Sequence, residues 1–396
     1  MAGMYSERLI VRNFGPITNL DIEFRRLTLF IGDQGSGKST LSKLLTICRD
    51  MRWWLQLLED SGSEGIKKPF SDFGISEYFM EDTYINYSMG GLDIKYEKEV
   101  FSIASNDISK DDIKNYFEFL NKKFGYDQSS SSSDEEDEKD NAEQAFMAAN
   151  ARMILYNPAE RNLVGNLSEA TASLWSAGIP LPKPLLEYMG LFERATKLFP
   201  RYEIPVFKVN YVKKDNKNMI ELRGKNKMIS LSASSSGLQS AIPMLMVIDY
   251  ALKTVSFNSF VIEEPEQNLF PQNQFEMLGF VTSRLWHPNH RRQFIITTHS
   301  PYLLSSLNVL MLAYKLQHIE EVREEAEKII VPGYTVNPDD VAVYGLYPDE
   351  EEYCKNLISE KTGMISVNEL DTASLYIGED FDHLARLYSK VIKSKK

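Results

Sequence analysis

The sequence predicts an α/β fold in which a mixed or parallel sheet is flanked by helices. A continuous apolar run, Leu27–Ile31, has the pattern of a central strand that is buried on both faces. A glycine-rich turn, Gly32–Gly37, follows it, and the apolar residues after the turn recur at helical spacing. Phe257–Ile262 and Gln293–Thr298 predict two further buried strands. Buried strands alternating with helices are typical of a mainly parallel sheet.

The remaining elements follow from hydrophobic periodicity, in chain order. Two N-terminal strands, Arg8–Phe14 and Leu20–Phe24, flank a Gly-Pro turn, and Tyr84–Glu97 alternates around two glycines as a hairpin does. A second hairpin is predicted between Val206 and Leu222, and Gly237–Lys253 has the apolar spacing of a helix.

These patterns divide the chain into four predicted segments. Residues 1–58 contain the first strands and the glycine-rich turn, and residues 204–306 contain the other two buried strands. Between them, residues 59–203 are predicted to be a mainly helical insertion, in which the acidic, serine-rich stretch 128–144 is expected to be disordered because it has too little apolar surface to bury. Residues 307–396 are predicted to be an α/β tail that docks a partner. The helices predicted within the insertion are Asp111–Phe124, Ala145–Leu155 and Leu185–Leu198.

Composition limits the function classes. The chain has 396 residues with 44 basic and 56 acidic side chains, a formal charge of −12, which does not favour a surface that binds nucleic acid throughout. The two cysteines, Cys48 and Cys354, exclude a disulfide framework and a cysteine-type zinc site. No apolar run approaches the roughly 20 residues that span a bilayer, and Met1–Arg12 does not resemble an export signal. We therefore expect a cytoplasmic protein without a membrane segment.

The glycine-rich turn matches the phosphate-binding loop pattern G-x-x-x-x-G-K-[ST] at every required position. Its glycines allow backbone N–H groups to face one concavity, and the next helix adds its positive N-terminus. The pattern predicts a nucleotide, with Lys38 on its β- and γ-phosphates, Ser39 on Mg²⁺ and Thr40 near the α-phosphate. The nucleotide-binding residues predicted here are Gly32, Asp33, Gln34, Gly35, Ser36, Gly37, Lys38, Ser39 and Thr40.

Three further groups fit the same site. Glu263 and Glu264 end a buried strand at the edge where parallel sheets bind ligands, so Glu263 is predicted to hold Mg²⁺ and Glu264 to activate water. An acid pair alone is equally typical of a solvated loop. His299 ends another buried strand, and Ser236 lies at the start of a predicted helix, where N–H groups favour an anion.

In this order, the segments resemble those of the ABC-type ATPase superfamily, in its RecF-like, SMC-like and OLD-like branch. Ser235–Gln239 resembles the signature motif, Glu263–Pro271 the Walker B and D-loop, and Thr298–Pro301 the switch-histidine segment. Two residues depart from the pattern: Leu238 replaces the usual second glycine of the signature, and Glu263 replaces the commoner aspartate. The resemblance implies an ABC-type head with an antiparallel β subdomain.

The resemblance also implies a mechanism. Two ATP molecules are held between two protomers, and each contacts the phosphate loop of one protomer and the signature residues of the other. Glu264, His299 and Lys38 are then the catalytic residues, and Ser236, Gly237 and Gln239 bind the nucleotide of the partner.

Two segments are open to more than one interpretation. Arg161, in a Pro-Ala-Glu-Arg sequence that related ATPases share, is interpreted either as a phosphate contact or as a surface salt-bridge residue. Val341–Gly345 resembles the first strand of a TOPRIM nuclease, but Tyr344 stands where that domain needs a glutamate. We therefore predict no nuclease activity in this chain.

The compact head also resembles the ATPase subunits of bacterial antiphage systems, of the AriA type in PARIS and the PtuA type in Septu. That resemblance implies a sensor and scaffold that self-associates as a homodimer or higher oligomer, holds a separate effector or toxin protein, and responds to a phage protein. The alternative is a DNA repair or recombination ATPase that clamps duplex DNA, which the acidic charge does not favour.

Overall fold

The computed structural model describes residues 6–59, 64–105, 153–167, 181–224, 227–254, 257–284 and 292–366, together with residues 111, 115 and 384. The strands are β1 (Glu7–Phe14), β2 (Ile17–Glu23), β3 (Leu27–Gly32), β4 (Phe79–Met89), β5 (Leu92–Glu97), β6 (Val100–Ser105), β7 (Met153–Asn157), β8 (Arg201–Ile204), β9 (Val209–Lys214), β10 (Lys217–Leu222), β11 (Met228–Ser230), β12 (Phe257–Glu263), β13 (Gln293–Thr298), β14 (Val341–Leu346) and β15 (Cys354–Asn356). The helices are α1 (Lys38–Cys48), α2 (Met51–Glu59), α3 (Lys68–Asp72), α4 (Val164–Leu167), α5 (Lys183–Leu198), α6 (Ser236–Thr254), α7 (Pro271–Thr282), α8 (Pro301–Gln317) and α9 (Arg323–Ile329). Within these described ranges, no helix has both the length and the apolar character to cross a bilayer.

A six-stranded sheet forms the centre of the fold, in the order β15-β14-β3-β13-β12-β7. Its strands are parallel except for β15, which pairs antiparallel with β14. Strand β3 is buried on both faces because Leu27 and Leu29 enter one apolar core and Phe30 enters the other. The α/β fold with a mixed sheet and flanking helices is therefore confirmed.

Helices and two antiparallel sheets cover the central sheet. The core on one face contains residues of α1 and α2 and of the five-stranded sheet β2-β1-β4-β5-β6. The core on the other face contains residues of α5, α6, α7 and α8 and of the four-stranded sheet β11-β10-β9-β8. The predicted hairpins appear as β4–β5 and β9–β10, and the helix predicted at Leu185–Leu198 is α5.

The described part of 59–203 differs from the mainly helical insertion that the sequence predicted. It contributes β4, β5 and β6 to the sheet of β1 and β2, and β7 to the central sheet. The helix predicted at Ala145–Leu155 is wrong at its end, where Met153–Asn157 is a strand because it pairs with β12. The stretch 128–144 and most of the helix predicted at Asp111–Phe124 lie outside the described residues.

The tail predicted from residue 307 is continuous with the central sheet. Strand β14 pairs in parallel with β3, the strand that leads into the glycine-rich turn. The segment that resembled the first strand of a nuclease therefore belongs to the same sheet as the phosphate-binding loop. Because β14 is buried along its whole length, this part of the tail belongs to the core rather than to a separate unit.

Candidate active site

The glycine-rich turn between β3 and α1 forms one wall of a cavity of about 940 Å³, a size typical of small-molecule sites. Gly35 and Gly37 have φ angles of 82° and 98°, in the left-handed region that favours glycine. These turns lead directly into the N-terminus of α1, where the first backbone N–H groups lack helical partners. The turn therefore presents unpaired donors and the positive end of a helix to an anion.

Most of the residues predicted for nucleotide binding line this cavity. Gly32 and Asp33 do not line it, and instead provide carbonyl groups to the loop lysine. The predicted residues that line the cavity are Gln34, Gly35, Ser36, Gly37, Lys38, Ser39, Thr40, Glu264 and His299.

Lys38 is folded back onto its own loop. Its ammonium group donates to the carbonyl oxygens of Gly32 at 2.7 Å and Asp33 at 2.8 Å, and to Ser36 Oγ at 3.1 Å. The side chain is almost fully buried, and this burial lowers the pKa of Lys38 to about 8. Phosphate oxygens are charged acceptors and make stronger hydrogen bonds than these neutral oxygens do. A bound phosphate would therefore stabilise the buried ammonium group of Lys38.

The two acids that end β12 have different environments. Glu263 is 2% exposed, and burial raises the pKa of its carboxyl group to about 7. Glu264 has a φ of 45°, which is rare for a residue with a side chain, and its N–H donates to the Thr297 carbonyl at 2.9 Å. The chain turns at this residue, and Glu264 lines the cavity whereas Glu263 does not.

His299 joins Glu264 from the next strand. Its Nε2 lies 3.3 Å from Glu264 Oε1. Burial, together with the nearby ammonium of Lys38, lowers the pKa of His299, so the neutral imidazole is favoured at pH 7. Glu266 fixes the backbone here, since its Oε1 accepts from Thr298 Oγ1 at 2.5 Å and from the His299 N–H at 3.1 Å. Glu266 therefore positions the backbone of the histidine directly.

The oxygen ligands at this edge of the sheet suit Mg²⁺. Glu263 Oε1 is buried without a hydrogen-bond partner, and Ser39 exposes a hydroxyl group in the cavity. A hard divalent cation prefers such carboxylate and hydroxyl oxygens, and it usually keeps several of its waters. An unpartnered buried carboxylate oxygen is costly unless a cation or water completes it, so the residues fit the predicted metal.

The signature-like residues do not line this cavity. Ser236 is exposed at the first position of α6, and a Cβ on Gly237 would lie 2.7 Å from the Asn268 carbonyl of the D-loop. Gln239 donates through Nε2 to the carbonyls of Ser232 and Ser234, which shapes the serine-rich turn. Leu238, which replaces the second glycine, is half-buried and packs against the core.

Arg161 fits neither of its two interpretations. It is fully buried, in the short helical turn Ala159–Leu163 after β7, so it is not a surface salt-bridge residue. It also does not line the cavity, as a residue in contact with a bound phosphate would. Its guanidinium group donates to the main-chain carbonyls of Pro158, Glu263 and Glu264. It therefore binds the backbone of the turn that carries the candidate catalytic glutamate.

The sequence did not reveal the outer wall of the cavity. Gly15 and Pro16, from the β1–β2 turn, and Glu77, Tyr78 and Met80, at the start of β4, also line it. Strand β4 reaches the site because it pairs with β1, and no local pattern in the sequence predicts that pairing. The Gly-Pro turn is the one signal that was visible.

Residues 181–304 match the model of an AAA ATPase domain. The matched part includes the signature-like turn, the two acids of β12 and the strand that ends at His299. A comparison with curated proteins finds no match.

Among solved structures, this chain is similar to SMC heads. An SMC head bound to the C-terminal winged-helix domain of ScpA has a TM-score of 0.41 at 12% identity, over 91% of this chain and 100% of that chain. The SMC head domain from Thermotoga maritima has a TM-score of 0.38 at 15% identity, over 77% and 92%. The SMC head of Pyrococcus furiosus with an extended coiled coil, bound to the C-terminal domain of ScpA, has a TM-score of 0.38 at 12% identity, over 76% and 91%.

Proposed function

We propose that the protein is an ABC-type head that binds Mg²⁺ and ATP and hydrolyses the nucleotide between two protomers. The observation that carries this proposal is that the phosphate-binding loop, Glu264 and His299 line the same cavity at the edge of the sheet. A site that only binds phosphate would need the loop but neither Glu264 nor His299. The carboxylate and the imidazole, contributed by neighbouring strands, supply a base and a polar contact at the position where a γ-phosphate would lie.

Each residue has a physical role in this reaction. The backbone N–H groups of Gly35, Gly37 and Lys38 and the α1 N-terminus bind the phosphates, and Lys38 exchanges its carbonyl partners for phosphate oxygens. Ser39 and Glu263 would hold Mg²⁺, which would neutralise charge on the phosphates. Glu264 accepts a proton from the attacking water. Neutral His299 orients Glu264 by donating a hydrogen bond to its carboxylate.

The partner protomer completes the site in this proposal. Ser236 is exposed at the N-terminus of a 19-residue helix, where an anion is stabilised, and it is outside the cavity of its own chain. We therefore place Ser236, Gly237 and Gln239 of one protomer on the nucleotide of the other. ATP then holds two protomers together, and hydrolysis releases them.

The cellular role we propose is that of a cytoplasmic sensor and scaffold in antiphage defence, which controls a separate effector protein and responds to a phage protein. Its support is the resemblance to antiphage ATPase subunits and the compact head: in the described ranges, the longest helix has 19 residues, too short for an extended coiled-coil arm. The acidic charge of −12 favours this role over a duplex DNA clamp.

Two experiments test these assignments. Light scattering of Glu264→Gln with Mg²⁺ and ATP should reveal a stable dimer, because binding persists while hydrolysis stops, and a monomer would exclude the ATP-bridged pair. Purification of the untagged neighbouring gene products together with this protein should yield a stoichiometric protein partner. A partner-free dimer that shifts duplex DNA only with ATP would instead establish the clamp.

A further inference from the structure

The hairpin formed by β14 and β15 lies against the phosphate-binding loop from outside the cavity. Tyr353, at the end of the hairpin loop, is 3% exposed, and its hydroxyl group donates to the Ser36 carbonyl oxygen at 2.6 Å. The hairpin backbone also reaches the base of the loop, where a Cβ on Gly32 would lie 2.5 Å from the Leu346 carbonyl oxygen. Two parts of the phosphate-binding loop therefore rest on this one hairpin.

The Tyr353 bond constrains a donor that faces the nucleotide. In a planar trans peptide, the C=O and the N–H point in opposite directions. Tyr353 holds the Ser36 C=O towards the hairpin, so the N–H of the same peptide, which belongs to Gly37, points away from it and towards the cavity side of the loop. Burial raises the pKa of Tyr353, so its hydroxyl group remains a donor at physiological pH.

Gly37 fits this arrangement in a way that other residues would not. A Cβ at Gly37 would lie 2.6 Å from the Tyr353 hydroxyl oxygen, and the φ of 98° is unfavourable for any side chain. Ile17 and Pro16, from the β1–β2 turn, are near the same point at 3.3 and 3.4 Å. Gly37 is thus packed between the β1–β2 turn and the β14–β15 hairpin.

We propose that Tyr353 is a positioning residue for nucleotide binding, which aims the Gly37 N–H at phosphate through the Ser36 carbonyl and so couples the C-terminal hairpin to nucleotide occupancy. Tyr353 does not line the cavity, so it acts through the loop and not by contact with the nucleotide. The coupling is reciprocal: if the hairpin strengthens nucleotide binding, bound nucleotide stabilises the hairpin by the same factor. This inference rests on the proposed function, because it requires that the loop binds a nucleotide.

The test compares Tyr353→Phe with Tyr344→Phe. Tyr344 is also a buried tyrosine of this hairpin, but its hydroxyl group donates to the Glu23 carbonyl at 2.8 Å, away from the phosphate-binding loop. Tyr353→Phe loses one hydrogen bond, whereas Tyr344→Phe loses two, because the Tyr344 hydroxyl also accepts from the Glu23 N–H at 3.2 Å. The fall in melting temperature is therefore expected to be at least as large in Tyr344→Phe. Titration with a fluorescent ATP analogue should give a dissociation constant raised about fivefold to tenfold for Tyr353→Phe and less than about twofold for Tyr344→Phe.

Hydrogen exchange supplies a measurement that a purely structural role does not affect. The amides of Tyr347 and Leu357 are bonded within the hairpin, to the carbonyls of Tyr353 and Val343. ATP should slow their exchange in the wild type and in Tyr344→Phe, but not in Tyr353→Phe.

The outcomes distinguish failure of the proposed function from failure of the role proposed for Tyr353. A wild-type protein that binds no nucleotide overturns the proposed function, and this inference with it. A wild type that binds normally while Tyr353→Phe binds equally well, or while Tyr344→Phe loses as much affinity, overturns the inference alone.

Discussion

Arg161 should control the rate of hydrolysis without controlling nucleotide affinity. Its guanidinium group binds the carbonyls of Glu263 and Glu264, and the Glu264 backbone has a φ of 45°. Such a conformation costs about 1–3 kcal/mol in a non-glycine residue and persists only when its surroundings fix it. Two hydrogen bonds from a charged donor contribute about 3 kcal/mol or more, enough to offset that strain.

Replacing Arg161 by methionine removes these two bonds, together with the bond to the Pro158 carbonyl, and allows the turn to relax. A displacement of the catalytic carboxylate by about 1 Å typically costs about a hundredfold in rate, or about 2.7 kcal/mol. We therefore expect Arg161→Met to lower kcat about a hundredfold and to leave ATP affinity within about threefold, because Arg161 does not line the cavity. Arg161→Lys should have a kcat between those of the wild type and Arg161→Met, since lysine keeps the positive charge but lacks the planar guanidinium group.

Phosphate release at saturating Mg-ATP, measured alongside binding of a fluorescent ATP analogue, tests this expectation. Arg292→Met is the matched control: Arg292 is also largely buried and donates to a main-chain carbonyl, but that carbonyl belongs to Arg284 and not to the turn at Glu264. The control should lose stability and keep its kcat. The reasoning is refuted if Arg161→Met hydrolyses ATP at the wild-type rate, or if it loses affinity and not rate.

Three further predictions concern the remaining site residues. Lys38→Ala should weaken ATP binding at least about a hundredfold in calorimetry, because two or more charge-assisted bonds to phosphate are lost, and unchanged affinity would contradict the loop assignment. Ser236→Glu should keep ATP binding but lose dimerisation by repulsion of the partner's phosphates, and mixing it with Lys38→Ala should restore hydrolysis at one composite site; no restoration would contradict sharing of the site. The pKa of Glu263 is about 7 in the folded protein, above its value of 4.5 when unfolded, so the nucleotide-free fold binds more protons and should lose up to about 3 kcal/mol of stability as pH rises from about 4 to about 8. Thermal melts should show this slope flattened in Glu263→Gln, and an equal slope would contradict the buried carboxylate.

The sequence was sufficient for the part of the site that is local in the chain. The phosphate-binding loop, with its preceding strand and following helix, lies within Leu27–Cys48, and the structure confirms both elements. The acids of β12 and His299 could be placed beside that loop because buried parallel strands end at one edge of a sheet. The structure brings Glu264 and His299 to the cavity, as this argument predicts.

The residues that sequence reasoning missed reach the site through long-range pairing. Tyr78 and Met80 line the cavity only because β4 pairs with β1, and Tyr353 reaches the loop only because β14 pairs with β3. Both pairings join segments that are far apart in the chain, so hydrophobic periodicity within either segment cannot indicate them. Arg161 was singled out from its motif, but its partners are main-chain carbonyls, which leave no trace in a sequence.

The most direct test of the central claim is the rate of phosphate release from Mg-ATP by the wild type and by Glu264→Gln, with nucleotide affinity measured on the same preparations. Hydrolysis through Glu264 predicts a wild-type rate well above that of Lys38→Ala, and a rate lowered about a hundredfold or more in Glu264→Gln at nearly unchanged affinity. A Glu264→Gln variant that hydrolyses ATP at the wild-type rate, or a wild type no faster than Lys38→Ala, would contradict it.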